Sequence, residues 1–178
     1  MFELFITMIE KPLVTVITVC YNAVSLIEKT IRSVLAQQYE HIEYVVVDGG
    51  STDGTIEIIR KYEAHISHWI TEQDEGIYDA MNKGVAMATG EWCIFLNAGD
   101  TFAADDVLNR VFQVPREADV IYGDVVKNGT IKPAEAPHNS HRMYFCHQSC
   151  LTRTACLRTF PYDTSHRMSA DFKLYKLL

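Results

Sequence analysis

The sequence predicts an α/β domain, a mostly parallel sheet flanked by helices, and three observations predict it. Short apolar runs rich in β-branched residues recur through the first half, as strands buried on both faces should. Each run is followed by a segment with helical spacing, the alternation that builds parallel sheets. At 178 residues the chain is long enough for one domain and too short for two ordinary ones.

The first strand covers Leu13 to Tyr21 (LVTVITVCY). Ser25 and Glu28 then give a Ser-x-x-Glu capping box, and Ile27, Ile31, Val34 and Leu35 fall on one face of a helix. The pattern repeats with a strand from Ile42 to Asp48, a glycine-rich turn, and a helix from Thr55 to Tyr62. A third strand, Ile66 to Thr71, leads through Gln73-Asp74-Glu75-Gly76 into a helix over Ile77 to Met87. A fourth, Trp92 to Leu96, ends in Asn97-Ala98-Gly99-Asp100, with a helix at Asp105 to Phe112 after it. Beyond Asp119 the texture changes. Val120 to Val126 reads as a strand, Asn128-Gly129 as a turn, Thr130 to Lys132 as a return strand, Pro133 to His141 as a loop and Ser169 to Leu178 as a helix. Residues 1–12 read as an N-terminal extension and 13–178 as the domain.

Composition narrows the function classes. Hydrophobic residues make up 48% and charged residues 22%, the balance of a globular chain. The 16 basic and 23 acidic residues give a net charge of −7, and no Lys/Arg stripe carries interleaved aromatics, which argues against nucleic acid as a partner. The opening MFELFITMIE contains Glu3 and Glu10 and lacks a positive n-region and a cleavage site. No window approaches the roughly 20 apolar residues of a membrane span, so a cytoplasmic protein is expected. Five cysteines, an odd number, agree: Cys20 and Cys93 lie in predicted buried strands. Cys146-His147-Gln148-Ser149-Cys150 resembles half a zinc site without a second half, and reads as buried thiols beside a functional or structural His.

In an open α/β sheet ligands bind beyond the carboxyl ends of the strands. Here those ends are Tyr21-Asn22, Asp48-Gly49-Gly50-Ser51-Thr52-Asp53-Gly54, Asp74-Glu75-Gly76 and Asn97-Ala98-Gly99-Asp100, all polar and three of them acidic. One such turn is ordinary turn chemistry; four together point to one site on one edge. Gly49 and Gly54 have P-loop spacing, but Thr55 stands where that loop needs Lys. The loop instead offers Asp48 and Asp53 to base or ribose donors. Asp79, Asn82 and Lys83 share a helix face, either as an Asp79–Lys83 ion pair or with Asn82 or Lys83 reaching ribose or phosphate. Asp171 is either a helix N-terminal acid or a carboxylate general base.

Taken in order, Val14-Thr15-Val16-Ile17-Thr18-Val19-Cys20-Tyr21-Asn22, Val46-Val47-Asp48-Gly49-Gly50-Ser51-Thr52-Asp53-Gly54-Thr55, Asp74 to Gly84 (DEGIYDAMNKG), Ala88-Thr89-Gly90-Glu91-Trp92 and Phe95-Leu96-Asn97-Ala98-Gly99-Asp100 resemble the family 2 glycosyltransferases of the GT-A fold. The resemblance runs from about Leu13 to the end of the chain. It implies a nucleotide-diphospho-sugar donor, commonly UDP-linked, and a single displacement that inverts the anomeric carbon. It further implies that Thr18, Tyr21, Asn22, Asp48 and Asp53 hold base and ribose. Asn97 to Asp100 stands at the metal-binding D-x-D position. Asn97 and Gly99 replace acids there, so Asp100, with Asn97 beside it, is the candidate ligand for Mg²⁺ or Mn²⁺. Asp171, in Ser169-Ala170-Asp171-Phe172, is implied to be the catalytic base, and Asp74, His147 and Gln148 to border the donor and acceptor cleft. The expected acceptor is a saccharide or lipid-linked saccharide, the latter bringing the protein to the inner membrane face. After Asp171 the chain is shorter than the family pattern, so the usual C-terminal elements are expected to be lacking. A sugar-nucleotide pyrophosphorylase is the rival enzyme, disfavoured because Tyr21-Asn22-Ala23 follows strand one instead of a glycine-rich, Arg-containing loop. A nonenzymatic nucleotide-sugar binding module is the rival of another class.

Overall fold

The computed structural model describes residues 11–114, 117–136, 143, 145–165 and 169–177. Most of the predicted N-terminal extension, residues 137–141 of the predicted loop and Leu178 lie outside them. The elements are β1 (Val14–Cys20), α1 (Ile27–Leu35), β2 (Ile42–Asp48), α2 (Thr55–Lys61), β3 (His68–Thr71), α3 (Ile77–Met87), β4 (Trp92–Phe95) and α4 (Val107–Val111), then β5 (Val120–Tyr122), β6 (Val125–Lys127), β7 (Thr130–Lys132), β8 (Cys150–Arg153), α5 (Thr154–Thr159) and α6 (Ala170–Tyr175). Six strands form the main sheet in the order β3-β2-β1-β4-β8-β5, and β6 and β7 form a separate hairpin.

Every residue of β1 is buried, because helices cover both faces of the sheet. Successive side chains alternate between two cores, as a period of two demands. Val14 and Val16 join Ile27, Ile31 and Trp92 on one face. Ile17 and Val19 join Met81, Phe95 and Leu174 on the other. Each large aliphatic side chain buried this way contributes about 2 kcal/mol. Gly84 is where α3 crosses the sheet, and a β-carbon there would run into the side chain of Ile17.

β1, β2, β3 and β4 are parallel in register, so their carboxyl ends meet on one edge. β8 runs antiparallel between β4 and β5, with Ile94 opposite Leu151 and Tyr122 opposite Cys150. An antiparallel strand presents its beginning where its parallel neighbour ends. The short 3₁₀ turn His147–Ser149, just before β8, therefore lies beside the end of β4.

The opposite edge is closed by a buried carboxylate. Glu43 accepts hydrogen bonds from Thr15 Oγ1 at 2.5 Å, the Thr89 backbone N–H at 2.6 Å and Thr89 Oγ1 at 2.7 Å. The Gly90 N–H adds a longer one at 3.3 Å. Burial alone would raise the Glu43 pKa, but these donors outweigh it and hold the group below the usual range.

Several sequence expectations are corrected here. Ser25 and Glu28 do not form a capping box: α1 starts after Leu26 with no side-chain cap, and Glu28 binds Arg32, Lys61 and Tyr62 instead. The predicted strand from Val120 to Val126 is two strands in different sheets, broken at Gly123-Asp124. The third strand begins only at His68, because Glu63–His65 is a 3₁₀ turn. β8 and α5 were not anticipated by periodicity, since neither is long enough to show one.

Candidate active site

The glycine-rich loop after β2 is built around Asp48, which is fully buried. Its oxygens accept from the backbone N–H groups of Gly50 and Ser51 at 3.1 and 2.9 Å and from the hydroxyls of Ser51 and Thr71. Burial opposes the charge, but those donors prevail and keep the carboxyl below its ordinary range. Asp48 thus shapes the loop from beneath. Thr18 is likewise buried, its hydroxyl 3.1 Å from that of Tyr44. Both residues, expected from the sequence to hold base and ribose, are buried in this structure.

Around that clamp the loop exposes other groups. Asn22 takes the left-handed conformation at φ 47°, which Asn tolerates, and its Oδ1 accepts from the Thr52 N–H at 3.0 Å. Asp53 accepts from the Val24 N–H at 3.0 Å and from the Thr55 N–H and hydroxyl. Tyr21 is 65% exposed between these segments. The Asp74 carboxylate packs where a side chain at position 49 would stand, and it accepts from the Gly76 N–H at 2.9 Å.

On α3, Lys83 pairs with Asp79 at 3.2 Å and with Glu72 at 2.9 Å, so the ion-pair alternative is present. Asn82 spends its amide on Tyr162, donating to the carbonyl at 2.9 Å and accepting from the N–H at 3.0 Å. That pairing ties α3 to the segment before α6.

The turn after β4 hangs on Thr30 of α1. Its hydroxyl donates to the Asp100 carbonyl at 2.8 Å and accepts from the Gly99 N–H at 2.8 Å. The turn therefore holds Asn97 and Asp100 in fixed relation. Asn97 Oδ1 is buried and has no hydrogen-bond partner among the described residues. The Asp100 carboxyl is pushed up by burial, only partly offset by the Asn97 N–H and the charge of Lys29. An orphaned amide oxygen and a carboxylate short of counter-charge in one turn suit a hard divalent cation, which takes oxygen ligands and leaves much of its shell to phosphate. Among the described residues no three His, Cys, Asp or Glu side chains form a cage of their own.

Next to this turn opens a cleft of about 300 Å³, lined by Asn97, Tyr78, Met81, His147, Gln148 and Asp171 among others. Four residues expected from the sequence, Asn97, His147, Gln148 and Asp171, come together here across more than 70 residues of chain. His147 is buried, stacked on Phe95 at 5.2 Å, with Nε2 2.8 Å from the Tyr162 hydroxyl. Burial lowers its pKa to about 4, against a small opposing effect of the Asp171 charge, so the imidazole is neutral at neutral pH. The neighbouring thiols are structural: Cys146 bonds Gln148 at 2.9 Å, and burial raises Cys150 to about 11.

Sequence reasoning passed over Tyr78, Tyr162 and Thr30. Tyr78 donates to Asp171 Oδ1 at 3.0 Å and stacks on Tyr162 at 5.5 Å. Its spacing of four from Asn82 put both on one helix face, which was the available signal.

The profile of glycosyl transferase family 2 matches residues 15–173. The chain is 33% identical over 172 residues to a PGL/p-HBAD biosynthesis glycosyltransferase of Mycobacterium bovis, covering 90% of this chain and 67% of that one. It is 41% identical over 100 residues to the putative teichuronic acid biosynthesis glycosyltransferase TuaG of Bacillus subtilis, covering 53% and 39%. In fold it is similar to S. aureus TarS 1-349 in complex with UDP, with a TM-score of 0.75, 22% identity and coverage of 91% and 53%. It is similar also to the mannosyltransferase PcManGT of Pyrobaculum calidifontis in complex with GDP-Man and Mn²⁺, with a TM-score of 0.68, 23% identity and coverage of 93% and 52%. The chain thus spans about half the length of these solved proteins. With the GT-A sheet, the polar carboxyl edge and the family pattern running from β1 to α6, the chain belongs to glycosyl transferase family 2.

Proposed function

We propose that this protein transfers a sugar from a nucleotide-diphospho-sugar, a UDP-sugar, to a hydroxyl of a saccharide or lipid-linked saccharide, with inversion at the anomeric carbon. The observation that carries the reading is the cleft itself, with Asn97 of the β4 turn and Asp171 of α6 both in its lining. A donor sugar there would have its diphosphate toward the turn and its other face toward a carboxylate. Asp171 takes the proton of the acceptor hydroxyl while that oxygen forms its bond to the anomeric carbon. The bond to the diphosphate breaks at the same time, and the nucleoside diphosphate leaves with the electron pair.

Tyr21, Asn22 and Asp53 border the base and ribose in this reading, with Asp48 and Thr18 supporting from below. Asp74, His147 and Gln148 bound the donor and acceptor, with His147 as a neutral wall. Asn82 and Lys83 act through the segments they tie down. Asp100 and Asn97 would hold Mg²⁺ or Mn²⁺, which when bound supplies positive charge against the departing diphosphate. A lipid-linked acceptor would bring the protein to the inner membrane face. No helix of the described residues is long and apolar enough to cross a membrane.

The test is a thermal-shift series with UDP and GDP, each with and without Mn²⁺. A ligand held at 100 times its Kd stabilises by about 2.7 kcal/mol, a rise of several degrees. The largest rise is expected for UDP with Mn²⁺. No rise with either diphosphate would sink the proposal.

A further inference from the structure

A carboxylate acting as a base must present one oxygen to the acceptor and keep the other fixed, or its free rotation squanders the geometry. Asp171 sits in the first turn of α6. Two bonds fix its carboxylate, one of them from the helix backbone. Oδ1 accepts from the Tyr78 hydroxyl at 3.0 Å and from the Phe172 N–H at 2.9 Å. Among the described residues Oδ2 accepts none.

Tyr78 is itself held. Its ring stacks on Tyr162 at 5.5 Å and 25°. Tyr162 is fixed through both backbone groups by Asn82 and through its hydroxyl by His147. A carboxylate oxygen only accepts, so the Tyr78 hydroxyl is the donor of this bond. Burial and the Asp171 charge push the Tyr78 hydroxyl up to about 12, so it stays protonated through the neutral range.

Resting on the proposed function, we infer that Tyr78 is the positioning residue of the base: it pins Oδ1 of Asp171 and leaves Oδ2 as the oxygen that meets the acceptor. It removes no proton and forms no bond to substrate. Its effect is confined to the orientation of Asp171, so it should vanish when Asp171 can no longer act as a base.

The experiment is a double-mutant cycle of Tyr78→Phe and Asp171→Asn. The readout is release of nucleoside diphosphate from UDP-GlcNAc, UDP-glucose or GDP-mannose with Mn²⁺ and water as acceptor, using whichever donor turns over fastest. Tyr78→Phe keeps the ring and its stacking on Tyr162. It is expected to lower kcat by about 10- to 100-fold, with donor KM within about twofold and a thermal midpoint within a few degrees. In the Asp171→Asn background the same change should cost no further turnover. Wild-type kcat in Tyr78→Phe, beside an inactive Asp171→Asn, would overturn this inference and leave the proposed function standing. Equal fold-losses in both backgrounds would also overturn it, because Tyr78 would then act independently of the base. Wild-type turnover in Asp171→Asn would overturn the base assignment and this inference with it.

Discussion

The two edges of the sheet handle their carboxylates in opposite ways. At the amino edge Glu43 is buried and both oxygens accept hydrogen bonds, from Thr15, Thr89 and Gly90. At the carboxyl edge Asp171 keeps one oxygen unengaged by the described residues, and beside the cleft Asn97 Oδ1 is orphaned. A fully satisfied carboxylate has nothing left to offer a ligand and serves the fold. A half-satisfied one costs stability unless something else completes it. The same contrast recurs within the carboxyl edge, where Asp48 is saturated by the loop it builds and Asp100 is pushed up by burial.

The sharpest way to break this contrast is to neutralise one acid at each edge. Asp171→Asn is expected to cut donor turnover by about 10²- to 10⁴-fold, the range for loss of a general base. Its thermal midpoint should stay within a few degrees of wild type, and diphosphate binding should persist in calorimetry. A variant that unfolds early would assign Asp171 to the fold instead.

Glu43→Gln should do the reverse. The amide nitrogen cannot accept from the threonine and glycine donors, so buried N–H and O–H groups lose their partner at a cost of about 3 kcal/mol. For a chain of this size the midpoint falls by about 6–12 °C in thermal unfolding. Diphosphate affinity measured at low temperature should be unchanged.

The most gradual effect is titration, read from the slope of midpoint against pH. His147 has its folded pKa lowered to about 4, below the ordinary 6.5. Between those values the unfolded chain binds a proton that the folded chain refuses, so stability present above pH 6.5 is lost as pH falls toward 4. The slope cannot exceed about 1.4 kcal/mol per pH unit for one group. Glu43, whose folded pKa is lowered, adds stability above the ordinary glutamate range and loses it only at lower pH. His147→Gln should therefore flatten the upper part of the curve and leave the acid limb in place. A wild-type midpoint that is level from pH 6.5 to 4 would contradict a buried neutral His147.

Much of this architecture was legible in the sequence. β1, β2 and β4 carry apolar runs, and Ile27, Ile31 and Val34 mark α1 by their spacing. The lower half of the site was legible too, because strand ends in an α/β sheet say where to look. What stayed hidden depended on facing and partners. Thr18 and Asp48 lie toward strand ends, and their burial came with partners on other segments, Tyr44 for one and Ser51 and Thr71 for the other. Glu28 looked like a capping residue until Lys61 and Tyr62, from the next helix and its end, took it. β8 has four residues and no periodic signature, so nothing local announced that it would enter the sheet.

That inserted strand also dictates an order of assembly. Among the described residues β5 joins the main sheet only through β8, and β8 reaches β4 across a wide gap in sequence, with Thr152 opposite Cys93. Contacts so distant along the chain are slow to form, because loop closure precedes any gain from pairing. During synthesis the first half, β1 through α4, emerges with all its strands able to pair. The wall carrying His147 and Asp171 must wait for β8 to find its slot, so the β1–α4 platform can take shape before the cleft exists.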